Sequence, residues 1–548
     1  MLNRINNTYT SAPRLLLLVL SMFLFSTNGC TDLNETVYSD LNEDNFYNNR
    51  VEVMQAALRP FTHMQAWLAP TGQNGHYYHS ELAADQVAWP QKGRHGYDGG
   101  DHIRLHYHTW TAEENRLNNA WELMWGGVGY INAALKDLEG VNYGALGISD
   151  EERETILAEL KVLRAFHYMK IMDLWGNVPI VTTVGEPLNP ETQSREEVFQ
   201  FVKTELEENV GSLQPLSQEL VGRVSRAAGY AMLSELYLNA EVWSGTPMWD
   251  DAIKVSDKII NGEGGSLTGT MMLDPDPLGP FNNTNHDSPE NIMQFAFSQK
   301  AGFAFGWGGF YFGYSNMSRA LDVTYSGWNA FVVIPSAFDM FEDNDIRKQE
   351  WFLFGPQYDY HTGDPILGTE EYNGQPLVYV NSIRRNSEGE TGEGGMTRGE
   401  ENSGARFHKY RSGTVDDPNY WETDYIIYRL TEIYFNKAEA LMRKNGGVAT
   451  QEVVDLINES KKRYFDNTDW TSEAYTISTL TLDELLEERG REFIFEGKRR
   501  TDLIRFGKFT TASWWDHEPT NDEDRELFPI PHIQVASNPN LEQNTGYN

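Results

Sequence analysis

Two stretches place aromatic rings, charged groups and glycines close enough together to hold a hydroxyl-rich ligand. The first is SELAADQVAWPQKGRHGYDGGDHIRLHYHTW, residues 80–110, which has a loop-like composition. Trp89 and Tyr97 offer flat apolar faces there, and Lys92, Arg94 and Asp98 offer charged hydrogen-bond partners. Its glycines let backbone approach a ligand closely. Rings stacked on a sugar, with a few charged groups on its hydroxyls, suffice for weak, reversible glycan binding. A packed structural loop would use the same residues. The second stretch, GFAFGWGGFYFGYSNMSRALDVTYSGWNAF, covers residues 302–331. It sets Trp307, Phe310, Tyr311 and Tyr314 among glycines and carries Trp328 in SGWNA. Glycines beside rings give them room to face outward, although core strands share that pattern.

Metal chemistry finds little support. His106 and His108 are two apart, and His102 lies four before His106, but no cysteine or HExxH helix accompanies them. DPDPLG begins like a calcium loop with Asp274, Asp276 and Gly279. Leu278 then occupies a ligand position, and Asn285 stands where a bidentate Glu belongs. That excludes an EF-hand and leaves calcium in an irregular loop as an open alternative. No other cofactor is expected.

Cys30 is the single cysteine of 548 residues, so no internal disulfide forms. Arg4 and Arg14 are the only charges before it, and Leu15–Phe25 is an apolar run too short to span a bilayer, which takes roughly 20 residues. This is the pattern of a secretory signal over residues 1–29. Ser26, Thr27, Asn28 and Gly29 before Cys30 resemble a bacterial lipobox, with Thr27 in place of the usual Leu. The expectation is a mature chain from Cys30, acylated there and held at a membrane by lipid. Residues 31–50 are polar and acidic and read as a tether.

The formal net charge is −36, which excludes nucleic acid and anionic lipid surfaces as partners. Aromatic residues make up 13% of the chain, including 15 Trp and 27 Tyr, a usage that suits recognition surfaces.

Helical patterns come in two blocks. Apolar residues recur at three-to-four spacing over 115–140 and 149–175, and further helices are expected over 194–211, 225–243, 249–262, 425–445, 450–464 and 481–496. Ser149 with Glu152, and Thr481 with Glu484, carry the spacing of capping boxes. Small residues, Ala227, Ala228, Ala231, Ala438 and Ala440, sit where helices must approach. The fold class is mainly α: a tetratricopeptide-like array of about four helix pairs, without a fixed repeat period, split by an irregular lobe over 263–424 with a few short strands such as NIMQFAF and PLVYVN.

Several segments, in order from Cys30 to Asn548, resemble the SusD/RagB family of outer-membrane lipoproteins. They include WELMWGGVGYINAAL, LKVLRAFHYMKIMDLWGNVPIVT, YIIYRLTEIYFNKAEALMRKNGG, ERGREFIFEGKRRTDLIRFGKF and LFPIPHIQVASNPNLEQNTGY. The resemblance implies eight tetratricopeptide-like helices plus an irregular lobe. It also implies a lipid-anchored place on the outer face of the outer membrane, and a SusC-like TonB-dependent transporter beneath. Such proteins hold oligo- or polysaccharide, or in some cases peptide, and deliver it without altering it. Residues 80–110 are similar to one subgroup of the family. Asp98–Gly99–Gly100 and His106 to Trp110 match, whereas Lys92–Gly93 replaces an Arg–Gly pair, and Gly96 and His102 replace two tryptophans. Arg164, Glu492, Glu496, Arg500 and Asp502 fall in family motifs and are expected to form internal ion pairs. The competing functions are a peptide-binding lid, a secreted glycoside hydrolase with paired carboxylates, and a pure protein-interaction scaffold.

Overall fold

A computed structural model describes residues 47–69, 74–185, 187–298, 317–322, 327–411 and 422–547. The chain divides into residues 1–48 and 49–548, and the elements below belong to the second unit. Cys30 and its leader, Trp307 and Tyr311 lie outside the described residues.

Eight helices stack in chain order, each on the one before. They are α1 (Arg50–His63), α4 (Asn115–Glu139), α5 (Asp150–Trp175), α6 (Arg195–Asn209), α7 (Arg226–Leu238), α8 (Trp249–Ile260), α9 (Leu430–Lys444) and α10 (Gln451–Lys461). Short helices α2 (His76–Leu82) and α3 (Asp101–His106) lie between α1 and α4, and α11 (Leu482–Phe493) and α12 (Arg499–Arg505) follow α10. Four pairs are thus present, as the periodicity predicts. Helix α1 extends beyond that prediction; Pro60 inside it disguises the pattern.

Caps fix the starts. Ser194 and Glu197 make a reciprocal capping box on α6. At α5 the Ser149 hydroxyl accepts from the Glu152 N–H, but the Glu152 carboxylate turns to Arg50 on α1 at 2.5 Å. Thr481 likewise caps α11, while Glu484 binds Arg491 at 2.7 Å. Each expected box is therefore half local cap and half tertiary tie.

Residues 425–445 are not one helix. Tyr425–Arg429 form strand β8, antiparallel to β2 (Asn291–Phe295), and α9 starts at Leu430. YIIYR is aromatic and β-branched and buried at every position, which favours a strand once a partner is present. Among the described residues, three further two-stranded pairs involve the irregular lobe. They are β1 (Val87–Ala88) with β3 (Val332–Val333), β4 (Phe352–Leu353) with β7 (Arg406–Phe407), and β5 (Gly355–Pro356) with β6 (Val378–Tyr379). Among the described residues no helix is long and apolar enough to cross a membrane.

The core carries ion pairs where the family motifs place charges. Arg429 binds Glu290, Glu492 and Glu496 at 2.8–2.9 Å. Arg347 binds Asp345, Glu488 and Glu492. Arg164 meets Glu205, Arg500 meets Asp173, and Asp502 meets Arg489 and Arg505. All five motif charges singled out in the sequence are buried partners of this kind.

Candidate functional site

The β1–β3 ladder pairs Val87 with Val333 and Ala88 with Val332. It therefore brings the segment after Ala88 against the segment before Val332, although they are more than 200 residues apart in sequence. The two aromatic stretches meet there. Trp89, Pro90, Lys92, His95, Gly96, Asp98, Gly327, Trp328 and Asn329 line one cleft of about 320 Å³.

The ring closest to the ladder is structural. Trp89 is 4% exposed and stacks on His102 at 4.5 Å between centroids and 10° between planes, with Phe331 edge-on at 5.4 Å. His102 is pushed down to about 4 by burial, and its Nε2 donates to the Gly96 carbonyl at 2.6 Å. Gly96 has φ +77, and a Cβ there would stand 3.1 Å from the Trp89 indole nitrogen. Any larger side chain at 96 would strain this turn and press on Trp89, so glycine fits here.

Lys92 is 2% exposed, and its Nζ donates to the carbonyls of Asn329 at 2.6 Å and Ala330 at 2.7 Å. Burial, and the nearby Arg406 guanidinium, hold its ammonium well below the usual lysine range. Expected as an outward contact, it is instead a brace under the Trp328 segment. Asn329 completes that brace. Its backbone is left-handed at φ +53, its Oδ1 accepts from Arg406 at 2.7 Å, and its Nδ2 donates to the Glu401 carbonyl. Between these anchored neighbours Trp328 stands 53% exposed.

Arg94 reaches across the rim to Glu370 at 3.2 Å, and His95 meets the same carboxylate at 3.4 Å. Arg94 leaves most of its own side chain in solvent. Tyr97 is 53% exposed beside the cleft, and its ring packs over Gly100. Asp98 lies in the lining with backbone at φ +40. Arg104 pins this turn, donating to the Gly99 carbonyl at 2.9 Å and pairing with Glu114 at 2.5 Å.

The structure thus gathers Trp89, Lys92, Asp98 and Trp328 at one cleft, with Arg94 and Tyr97 at its edge. It adds Pro90, His95 and Asn329, whose only sequence signal was adjacency to the chosen residues.

The histidines are core groups. His108 donates to the Ala83 carbonyl, and the His106 and His108 rings pack around His517. At DPDPLG, Asp274 accepts from Ser288 Oγ at 2.7 Å and from the Asp276 N–H at 3.0 Å. Among the described residues no group of three His, Cys, Asp or Glu side chains is placed to hold a metal ion.

Known proteins share this architecture. The SusD family model matches residues 289–547, and a model described as starch-binding, associating with the outer membrane, matches residues 33–238. The starch-binding protein SusD of Bacteroides thetaiotaomicron is 26% identical over 512 residues, covering 87% of this chain and 86% of the relative. A solved laminarin-binding SusD-like protein superposes with a TM-score of 0.68 at 20% identity, covering 91% of this chain and 100% of the other. Surface glycan-binding protein A from Bacteroides thetaiotaomicron, solved with laminarihexaose, gives 0.67 at 19% identity over 90% of this chain and 99% of the other.

Proposed function

The chain belongs to the SusD/RagB family, and from that premise we propose that it is a cell-surface lipoprotein that captures a neutral glycan and passes it to a SusC-like TonB-dependent transporter. It is a binding protein and not an enzyme. One observation carries the assignment of the site: two aromatic stretches, remote in sequence, meet at a cleft where Trp328 is held outward by a braced backbone. A ring fixed before the ligand arrives loses little rotamer freedom on binding, which suits stacking on a sugar face. Trp328, Tyr97 and Asp98 contact the ligand; Trp89 and Lys92 shape the floor beneath it. Trp307 and Tyr311, in the same aromatic stretch of sequence as Trp328, are the further proposed contacts. The net charge of −36 disfavours sulfated or carboxylated polymers and leaves neutral ones unaffected. Acylated Cys30 ties the protein to the outer membrane, facing outward.

A glycan array on residues 31–548, with starch and laminarin among its neutral polymers, tests the ligand class. Calorimetry on the polymer it selects then compares Trp328→Ala with the native chain. Loss of stacking is expected to lower affinity about tenfold, or ~1.4 kcal/mol, with no change in melting temperature. Equal affinity for both proteins would remove this cleft as the site. Sustained release of shortened product would overturn the non-enzymatic assignment.

A further inference from the structure

The β1–β3 ladder has two ends. The glycan cleft lies at the C-terminal end of β1 and the N-terminal end of β3. At the opposite end, Asp85 precedes β1 and Ser336 follows β3, and both line a second cleft of about 400 Å³. Asp85 and Trp89 are four residues apart, about 13 Å at strand rise.

Trp514 stands in the wall of this second cleft. Its indole lies flat on His517, with 3.7 Å between ring centres and 1° between planes. His517 is fixed in turn, because its Nδ1 donates to the His106 carbonyl at 2.6 Å. An aromatic ring is therefore fixed here too, half-buried where Trp328 is exposed. Both lining cations are paired, and acids outnumber them three to two: Lys508 lies 3.2 Å from Asp483, and Arg499 meets Asp85 at 2.7 Å and Glu487 at 3.5 Å. No lining cation lacks an acidic partner, so the cleft offers donors and acceptors without net attraction for an anion. Fixed ring, paired charges and a volume near that of the first cleft are the recognition chemistry of a neutral, hydroxyl-bearing ligand.

We propose that this cleft is a second saccharide site, taking another segment of the same neutral polymer, and so resting on the glycan-binding function above. The ladder holds the two sites at fixed separation, and a chain long enough to reach both gains affinity because its second contact is intramolecular. A short oligomer occupies one cleft at a time, and the first, with its exposed Trp328, the more tightly.

The probes are the trimer and octamer of the polymer that gives the strongest response on the neutral array, measured by calorimetry. The native protein is expected to bind the octamer at least about tenfold tighter than the trimer. Trp514→Ala and Lys508→Ala bring that ratio close to one, whereas Trp328→Ala weakens both lengths. A ratio unchanged in Lys508→Ala, and in Trp514→Ala where that variant folds, overturns the second site and leaves the first standing. Failure of the native chain to bind any neutral polymer overturns the glycan function itself. Lys508 is a surface side chain, so Lys508→Ala keeps the experiment decisive if Trp514→Ala does not fold.

Discussion

Single side chains in this protein divide between those that face solvent and those that hold others in place, and residue type does not separate them. Trp89 and Trp328 are both tryptophans beside turn residues, yet one is 4% and the other 53% exposed. Buried charge shows the same division. Glu81 is enclosed on α2; one oxygen accepts from the Gly497 N–H at 2.6 Å, and Oε2 has no hydrogen-bond partner among the described residues. Burial pushes its carboxyl up to about 8, against the pull of that hydrogen bond and of Lys409. In the unfolded chain the group ionises near its ordinary value of 4.5. Between these values the native state holds the proton and the unfolded state does not, so this group makes stability fall as pH rises from about 4.5 to about 8. Glu81→Gln removes that slope. Its stability relative to native protein is expected to rise between pH 5 and pH 9 in denaturant titrations; a constant difference would place the proton elsewhere.

At the scale of elements, helices α4 and α5 approach closely because Gly127 carries no side chain. A Cβ on Gly127 would lie 2.4 Å from His167 Nε2. His167 cannot withdraw: it is fully buried, its Nδ1 donates to the Leu163 carbonyl at 2.9 Å, and its ring meets Trp67 edge-on. Gly127→Ala is therefore expected to destabilise the fold by about 1–3 kcal/mol, read as a lowered denaturant midpoint with unchanged slope. A neutral outcome would mean that the helix pair can slide. This contact was not legible in the sequence, where the small residues noted for close approach were alanines on α7 and α9. Gly127 sits within WGGVGY, a run whose glycines resemble a weak helix centre until the facing histidine is known. The β8 strand was hidden for a related reason. Its partner β2 lies some 130 residues earlier, so local periodicity joined YIIYR to the following helix.

Across the whole molecule, one network ties the array to the lobe. Arg429, at the end of β8, joins Glu290 beside β2 to Glu492 and Glu496 near α11, and Lys409 from the lobe meets Glu496 at 2.6 Å. Arg429→Met leaves those acids buried without their central cation and is expected to cost about 3–5 kcal/mol, seen as loss of soluble folded protein or a large fall in melting temperature. Retained stability would show that Arg347, Lys409 and Arg463, which also pairs with Glu290, suffice. Attachment belongs to this scale too. Cys30→Ala is expected to move the protein from the membrane fraction to the soluble one and to remove acyl mass from its N-terminus. Persistent membrane fractionation of that variant would refute the anchor.

Sequence alone determined what is decided locally. Helices form from hydrogen bonds four residues apart, and their caps and apolar stripes lie within a turn or two of each other, so most of the array could be written down from spacing. The buried pairing of Arg164, Glu492, Glu496, Arg500 and Asp502 was expected from the family motifs that carry these residues, and burial makes such partners necessary. Tertiary structure decided which ring faces water, which lysine is a brace, and that residues 89–98 share a cleft with Trp328. Exposure and convergence are set by the β1–β3 ladder and by neighbours hundreds of residues away, and the short segments that meet there carry no mark of one another.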